Sequence, residues 1–205
     1  MNDILQLIEQ DAVLKKIHLL GLELNIPMME FEGINFVSTL INSYSSPKVL
    51  EIGTAIGFSS IALSKMSNAE IWSIERNDEL FQIAQTNVNN AQLNDRIHLL
   101  FGDAFDIDVL SLGQFDVIFI DAAKAQYQRF FSKFEPLLTD NGLIVTDNLS
   151  FHGIVSRESA LLTRNQRALA RKINNFINWL KTNEAFDTVF YTIGDGMSVS
   201  HRKRG

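Results

Sequence analysis

The 205-residue chain is 46% hydrophobic and 20% charged, which suffices for one domain with a sizeable core and requires no second one. Its net charge of -6 argues against a protein that coats nucleic acid by bulk charge, although a local basic face could still hold a structured RNA. The absence of cysteine excludes a disulfide framework and thiolate metal ligands, and nothing near the N-terminus reads as a signal peptide or membrane span, so a cytoplasmic protein without membrane contact is expected.

From Asp3 to Leu22, Ile4, Leu7, Ile8, Leu14, Ile17 and Leu20 recur at near-helical spacing between charged residues, predicting one or two amphipathic helices that cap the core. Pro27 breaks the pattern, and a helix restarts near Gly33 and runs toward Ile41. Residues 1–45 are thus expected to form a helical cap, and 46–205 an α/β core within the same domain. The stretch Lys48–Ser60 opens that core. Val49, Leu50 and Ile52 suit a buried parallel strand, Gly53 and Gly57 permit a tight turn, and Ser59-Ser60 introduce a helix. Such a turn lets a nucleoside cofactor approach the backbone, with the free N–H groups of the helix start pointing at it. The spacing is Gly-x-x-x-Gly and lacks the third glycine of the dinucleotide pattern, so a ligand-free βα connection is an equally good reading of these residues in isolation.

Glu70–Glu75 reads as a second strand ending in an acid about twenty residues beyond the glycine turn, the place of a ribose-binding carboxylate. A helix follows from Asp78 to Asn89-Asn90. Arg96–Phe101 is a third strand, closed by Gly102-Asp103-Ala104, and Phe115–Asp121 a fourth, the most hydrophobic and therefore central. Lys124 lies one turn beyond Asp121, where a surface ion pair is the bland alternative. Gln126–Leu138 reads as a helix with Phe130, Phe131 and Phe134 inward, ended by Pro136 and an Asp140-Asn141-Gly142 turn, before a fifth strand from Leu143 to Asp147. Residues 149–163 suit a lid or substrate loop. Leu169, Ile173, Phe176, Ile177 and Leu180 then stripe a long helix whose opposite face carries Arg164, Arg167 and Arg171, either ordinary solvation or a phosphate-binding surface. Phe186–His201 forms two strands joined at Gly194-Asp195-Gly196, and Arg202–Arg204 add a second basic cluster.

The expected fold is therefore Rossmann-like α/β: a seven-stranded, mostly parallel sheet with an antiparallel last strand and helices on both faces. Five strand ends carry Glu51/Gly53, Glu75, Asp103, Asp121 and Asp147/Asn148. Gathering carboxylates at one sheet edge costs free energy unless ligands, metals or hydrogen bonds compensate.

This order of LEIGTAIGFSS, IERN, GDA, FIDAAK and TDN resembles the class I S-adenosylmethionine-dependent methyltransferases over nearly the whole chain. More narrowly, it is similar to the metal-dependent O-methyltransferases that include the catechol and caffeoyl-CoA enzymes. Within that family, DRIHLLFGDA, FDVIFIDAAKAQYQRFF and INNFINWL look most like the bacterial tRNA 5-hydroxyuridine methyltransferases. The resemblance implies that Asp121, Asp147 and Asn148 hold a divalent cation, usually magnesium. It further implies that Met29, Glu51, Gly53, Ser59, Glu75, Asp103, Ala104 and Asp121 surround S-adenosylmethionine, and that Lys124 is the general base beside Asp121. Two carboxylates and a carboxamide are hard oxygen donors, in keeping with magnesium and not zinc. The expected acceptor is 5-hydroxyuridine in a tRNA anticodon loop, with the three arginines holding phosphates. The alternatives are O-methylation of a small catechol-like molecule, a nucleotide-binding oxidoreductase, which shares the glycine turn and Glu75 but predicts no metal triad, and a non-catalytic RNA-binding module. Relatives of this kind are often dimers, so a homodimer joined through the N-terminal helices is expected.

Overall fold

The computed structural model describes residues 3–108, 110–122, 124–150 and 162–203. Residues 151–161 of the proposed 149–163 lid segment, and Arg204, lie outside them. Two helices, α1 (Ile4–Gln10) and α2 (Ala12–Glu23), form the start of the cap. They are separated at Asp11, whose carboxylate accepts from Leu14 N and so caps the second. A third, α3 (Phe31–Ile41), begins two residues earlier than the glycine-based expectation.

The core then alternates strand and helix: β1 (Lys48–Ile52), α4 (Phe58–Met66), β2 (Glu70–Glu75), α5 (Asp78–Asn90), β3 (Ile97–Phe101), β4 (Phe115–Ile120), α6 (Tyr127–Phe134), β5 (Leu138–Thr146), α7 (Arg164–Lys181), β6 (Phe186–Tyr191) and β7 (Met197–Arg202). The strands lie in one seven-stranded sheet in the order β3-β2-β1-β4-β5-β7-β6. β7 runs antiparallel to both β5 and β6, and the remaining pairs are parallel. β1 and β4 occupy the middle, and their near-continuous burial on both faces explains the unbroken apolar runs in the sequence.

Alternation across the sheet divides the core in two. Val49, Val117 and Phe119 face the side covered by the cap helices and α4, whereas Leu50, Ile118 and Ile120 face α6 and α7. On the second side Phe131 packs edge-on against Trp179 and Phe186.

Three local expectations change. Helix α4 starts at Phe58 and not at the serines, because Gly57 in the left-handed region (φ +81°) serves as its N-cap. The predicted helix from Gln126 to Leu138 is shorter: Lys124–Gln126 and Glu135–Leu137 are single 3-10 turns flanking α6, the second containing Pro136. Asp140-Asn141-Gly142 is no turn. The fifth strand begins at Leu138, and these residues form a bulge in it, since β4 pairs Phe115 with Leu138 and then Val117 with Leu143.

Candidate active site at the carboxyl edge of the sheet

The parallel strands deliver their last residues to one edge, and the βα turn after β1 leaves room there. Gly53 has φ +107°, and a Cβ on it would lie 2.2 Å from the Asp121 carbonyl oxygen. Glycine is thus required both by the backbone conformation and by the approach of the β1 and β4 ends. A cleft of about 190 Å³ runs over this point, lined by Gly53, Glu75, Asp103, Ala104 and Asp121 among others. A smaller recess beside it includes Met29 and Ser59 and shares Gly53 and Asp121. Seven of the eight positions expected around a donor are therefore brought to two adjoining hollows.

Glu51, the eighth, is placed differently. It is 1% exposed, and its carboxylate accepts hydrogen bonds from Ser59 Oγ (2.6 Å) and from Ser73 Oγ. Burial pushes its pKa up, and the serine hydroxyls work in the opposite direction. Its route to the cleft passes through Ser59, so it supports the floor and does not line it. Glu75 has both oxygens committed to backbone: one accepts from Ala55 N (2.9 Å), the other from Arg76 N (2.9 Å) and Asn77 N (2.8 Å). These bonds fix the carboxylate at the mouth of the β1 turn. Asp103 accepts from Phe105 N, and Arg76 stands 3.6 Å from its other oxygen. The opposite wall is aromatic, with Phe105 stacked on Phe130 at 4.6 Å.

Asp121, on the wall of the larger cleft, meets Asn148, which in turn meets Asp147. Asn148 Nδ2 donates to Asp121 Oδ1 (3.0 Å), and Asn148 N donates to Asp147 Oδ1 (2.6 Å). Asn148 holds φ +64°, a conformation uncommon for any residue but glycine, which turns its side chain back toward Asp121. Withdrawal from water pushes the Asp121 carboxyl up to about 8, reinforced by repulsion from Asp147 and Glu51. Asp147 rises to about 6, again chiefly through burial. Among the described residues no three or more His, Cys, Asp or Glu side chains are arranged to hold a metal ion. The donor set is two carboxylates and one carboxamide, and two acids whose ionised forms are disfavoured chiefly by burial are a setting that a hard cation relieves.

Lys124 stands on the 3-10 turn after Asp121. Burial lowers its pKa, while Asp195, Asp121 and Asp147 act in the other direction. Its Nζ lies 4.0 Å from Asp195 Oδ2.

Sequence reading missed two residues here. Asp195 looked like mere turn chemistry between two glycines. Because β7 runs antiparallel to β5, however, the β6–β7 turn must lie at the edge where β5 ends, and that topology was the available signal. Tyr127, 1% exposed, donates its hydroxyl to the Asp147 carbonyl oxygen (2.8 Å), and nothing in its local pattern distinguished it from a core aromatic. Arg164, Arg167 and Arg171 are exposed on α7, and Arg167 also donates to the Leu162 carbonyl oxygen.

The sheet order, the glycine cradle and the strand-end acid Glu75 together define a Rossmann-like methyltransferase. Comparison with known proteins makes this specific. The family model for O-methyltransferases matches residues 7–203. A catechol O-methyltransferase from Niastella koreensis is 30% identical over 176 residues, covering 80% of this chain and 77% of its own. A Staphylococcus aureus structure with a provisional caffeoyl-CoA O-methyltransferase designation superposes with a TM-score of 0.87 at 30% identity, covering 95% and 94% of the two chains. An O-methyltransferase from Bacillus cereus, solved with S-adenosylhomocysteine, has a TM-score of 0.79 at 24% identity over 94% and 91%.

The chain belongs to the O-methyltransferase family and is an S-adenosylmethionine-dependent O-methyltransferase. The oxidoreductase and non-catalytic alternatives fall with that assignment. Among the described residues no helix is long and apolar enough to cross a membrane.

Proposed function

We propose that this enzyme methylates the 5-hydroxyl of 5-hydroxyuridine in tRNA, giving 5-methoxyuridine, with a divalent cation, magnesium, held by Asp121, Asp147 and Asn148. The observation that carries the reading is that Asn148 bonds to both Asp121 and Asp147, with Asp121 on the wall of the donor cleft and Lys124 on the 3-10 turn just beyond it. When bound, the cation supplies Lewis-acid polarisation of the acceptor hydroxyl and of an oxygen beside it. In 5-hydroxyuridine that neighbour is the O4 carbonyl.

Transfer from a sulfonium is an in-line displacement, so the protein must place the acceptor oxygen behind the methyl group and remove its proton. Gly53 and the fixed Glu75 carboxylate set the donor's position, with Glu75 accepting from the ribose. Met29 and Ser59 pack on the donor's other side. Lys124, its pKa lowered by burial, is suited to take the acceptor proton. The aromatic wall of Phe105 and Phe130 keeps water from that side of the cleft.

The RNA acceptor is supported by Arg164, Arg167 and Arg171, exposed along the first two turns of α7, roughly 10 Å of helix. The catechol O-methyltransferase relative favours a second reading, a small acceptor with two neighbouring oxygens. The test is incubation of the purified protein with S-adenosylmethionine, Mg²⁺ and 5-hydroxyuridine-containing tRNA, followed by mass spectrometry of the nucleosides. Formation of 5-methoxyuridine, weakened by rising salt and by Arg167→Glu, is expected. Turnover of free catechol with none on tRNA would reject the RNA acceptor.

A further inference from the structure

The turn joining β6 to β7 is bound to both sides of the site. Ser150 N donates to the Asp195 carbonyl oxygen and Leu149 N to that of Gly196, each at 2.8 Å, so the turn is stitched to the segment just after Asp147-Asn148. Gly196, at φ +81°, permits this contact, because a Cβ there would stand 2.4 Å from Ser150 Oγ. On its other flank Gly194 packs against Glu30 and the backbone of Gly33, beside Met29 in the donor recess. The carboxylate carried by this turn is 7% exposed as a residue and faces Lys124 Nζ at 4.0 Å.

Lys124 needs such a partner. It stands on a single 3-10 turn, and its four-carbon stem gives the amine a wide sweep. The charges of Asp121 and Asp147 act on it together with that of Asp195. A carboxylate 4.0 Å from the amine, carried on a turn stitched to Leu149 and Ser150, would narrow that sweep.

We propose that Asp195 is a positioning residue that aims the Lys124 amine at the acceptor hydroxyl. This rests on the reading of Lys124 as the base. Asp195 touches neither donor nor acceptor. Its effect is on the fraction of time in which the amine is within reach of the proton, so it belongs to kcat and not to binding.

The experiment compares wild type, Asp195→Asn, Asp195→Ala, Lys124→Met and the Lys124→Met/Asp195→Ala double variant. Steady-state kinetics use Mg²⁺ and 5-hydroxyuridine-containing tRNA, with catechol as a second acceptor, and calorimetry gives S-adenosylmethionine affinity. On whichever acceptor wild type turns over, Asp195→Ala should lower kcat about 10- to 100-fold. KM and donor affinity should stay within about twofold, Asp195→Asn should recover part of the loss, and the double variant should be no slower than Lys124→Met. If Lys124→Met keeps full kcat, the base reading itself fails. If Lys124→Met is slow but Asp195→Ala keeps kcat, or loses donor affinity in parallel, or slows the Lys124→Met background further, the positioning role is overturned while the base stands.

Discussion

Replacing Gly53 by alanine measures how firmly the donor cradle is tied to the strand that ends at Asp121. The new Cβ would meet the Asp121 carbonyl oxygen at 2.2 Å and its carbon at 2.9 Å, and both are backbone atoms that cannot swing aside. Relief requires parting the ends of β1 and β4, where Asp121 N donates to the Ile52 carbonyl oxygen at 3.0 Å. The φ of +107° costs ~1–3 kcal/mol for a residue with a Cβ, and forced overpacking adds ~1–3 kcal/mol, for a total of ~2–6 kcal/mol. Gly57 is the internal control. It too has a positive φ, +81°, but its Cβ would find neighbours no closer than 3.6 Å, so Gly57→Ala should cost only the backbone term of ~1–2 kcal/mol. For a chain of this size each kcal/mol lowers Tm by about 2–4 °C, so losses of roughly 4–24 °C and roughly 2–8 °C are expected. Calorimetric melting gives both values, and titration with S-adenosylmethionine should show Gly53→Ala binding far more weakly than Gly57→Ala. Equal melting points with equal donor affinities would refute the argument that the cradle and the Asp121 backbone share one tight contact.

Glu75→Gln keeps the shape of the carboxylate but replaces one acceptor oxygen by a donor facing backbone N–H groups; donor affinity by calorimetry should fall about 10- to 100-fold, the loss of a charged hydrogen bond. Asp121 and Asp147 have folded-state pKa values raised above their ordinary 3.8, to about 8 and about 6, so the cation-free fold binds more protons than the unfolded chain in that interval. Their contribution to stability is fully present below 3.8 and is lost as pH rises through the folded values, so the Tm of cation-free protein should decline from about pH 5 to about pH 8, less steeply in Asp121→Asn. Added Mg²⁺ should raise Tm more at the upper pH than at the lower, and the reverse order would contradict a site built from these acids. Tyr127→Phe leaves the buried Asp147 carbonyl without its donor, which should cost ~1–3 kcal/mol in urea unfolding and lower kcat by disturbing the Asp147-Asn148 backbone.

The strands were legible because the apolar runs of a parallel sheet are short and rich in β-branched residues, as in Val117–Ile120, which Asp121 closes. The cleft-lining positions were legible for a related reason: Gly53, Glu75, Asp103 and Asp121 all fall at the last residue of a strand or just beyond it, so sequence adjacency to a strand end stands in for spatial adjacency at the sheet edge. Where that shortcut fails, the reading fails with it. Glu51 lies within β1 and not after it, and its side chain turns into the serine-lined interior instead of the cleft. The Asp140-Asn141-Gly142 stretch has the composition of a turn, yet tertiary pairing with β4 holds it extended as a bulge. Tyr127 donates to a carbonyl twenty residues away, a contact that no local period announces.

Asp195 shows what the second half of the site depends on. The acids inherited from parallel strands arrive one per βα unit, but Asp195 comes from a hairpin whose antiparallel strand returns it to the same edge. Asp121, Asp147 and Asp195 all act on Lys124, and the Asp195 carboxylate stands 4.0 Å from its amine. This excess of acid also constrains the acceptor. Under the RNA reading, phosphates must stay clear of Asp121, Asp147, Asp195 and the exposed Glu30, so the modified base has to reach the site splayed away from its backbone. The arginines of α7 lie at the start of the helix that follows β5, on the same side of the sheet edge, where they could hold that backbone at a distance. A net charge of -6 is compatible with such a partner because the three arginines are exposed on α7, a helix that carries no acidic residue.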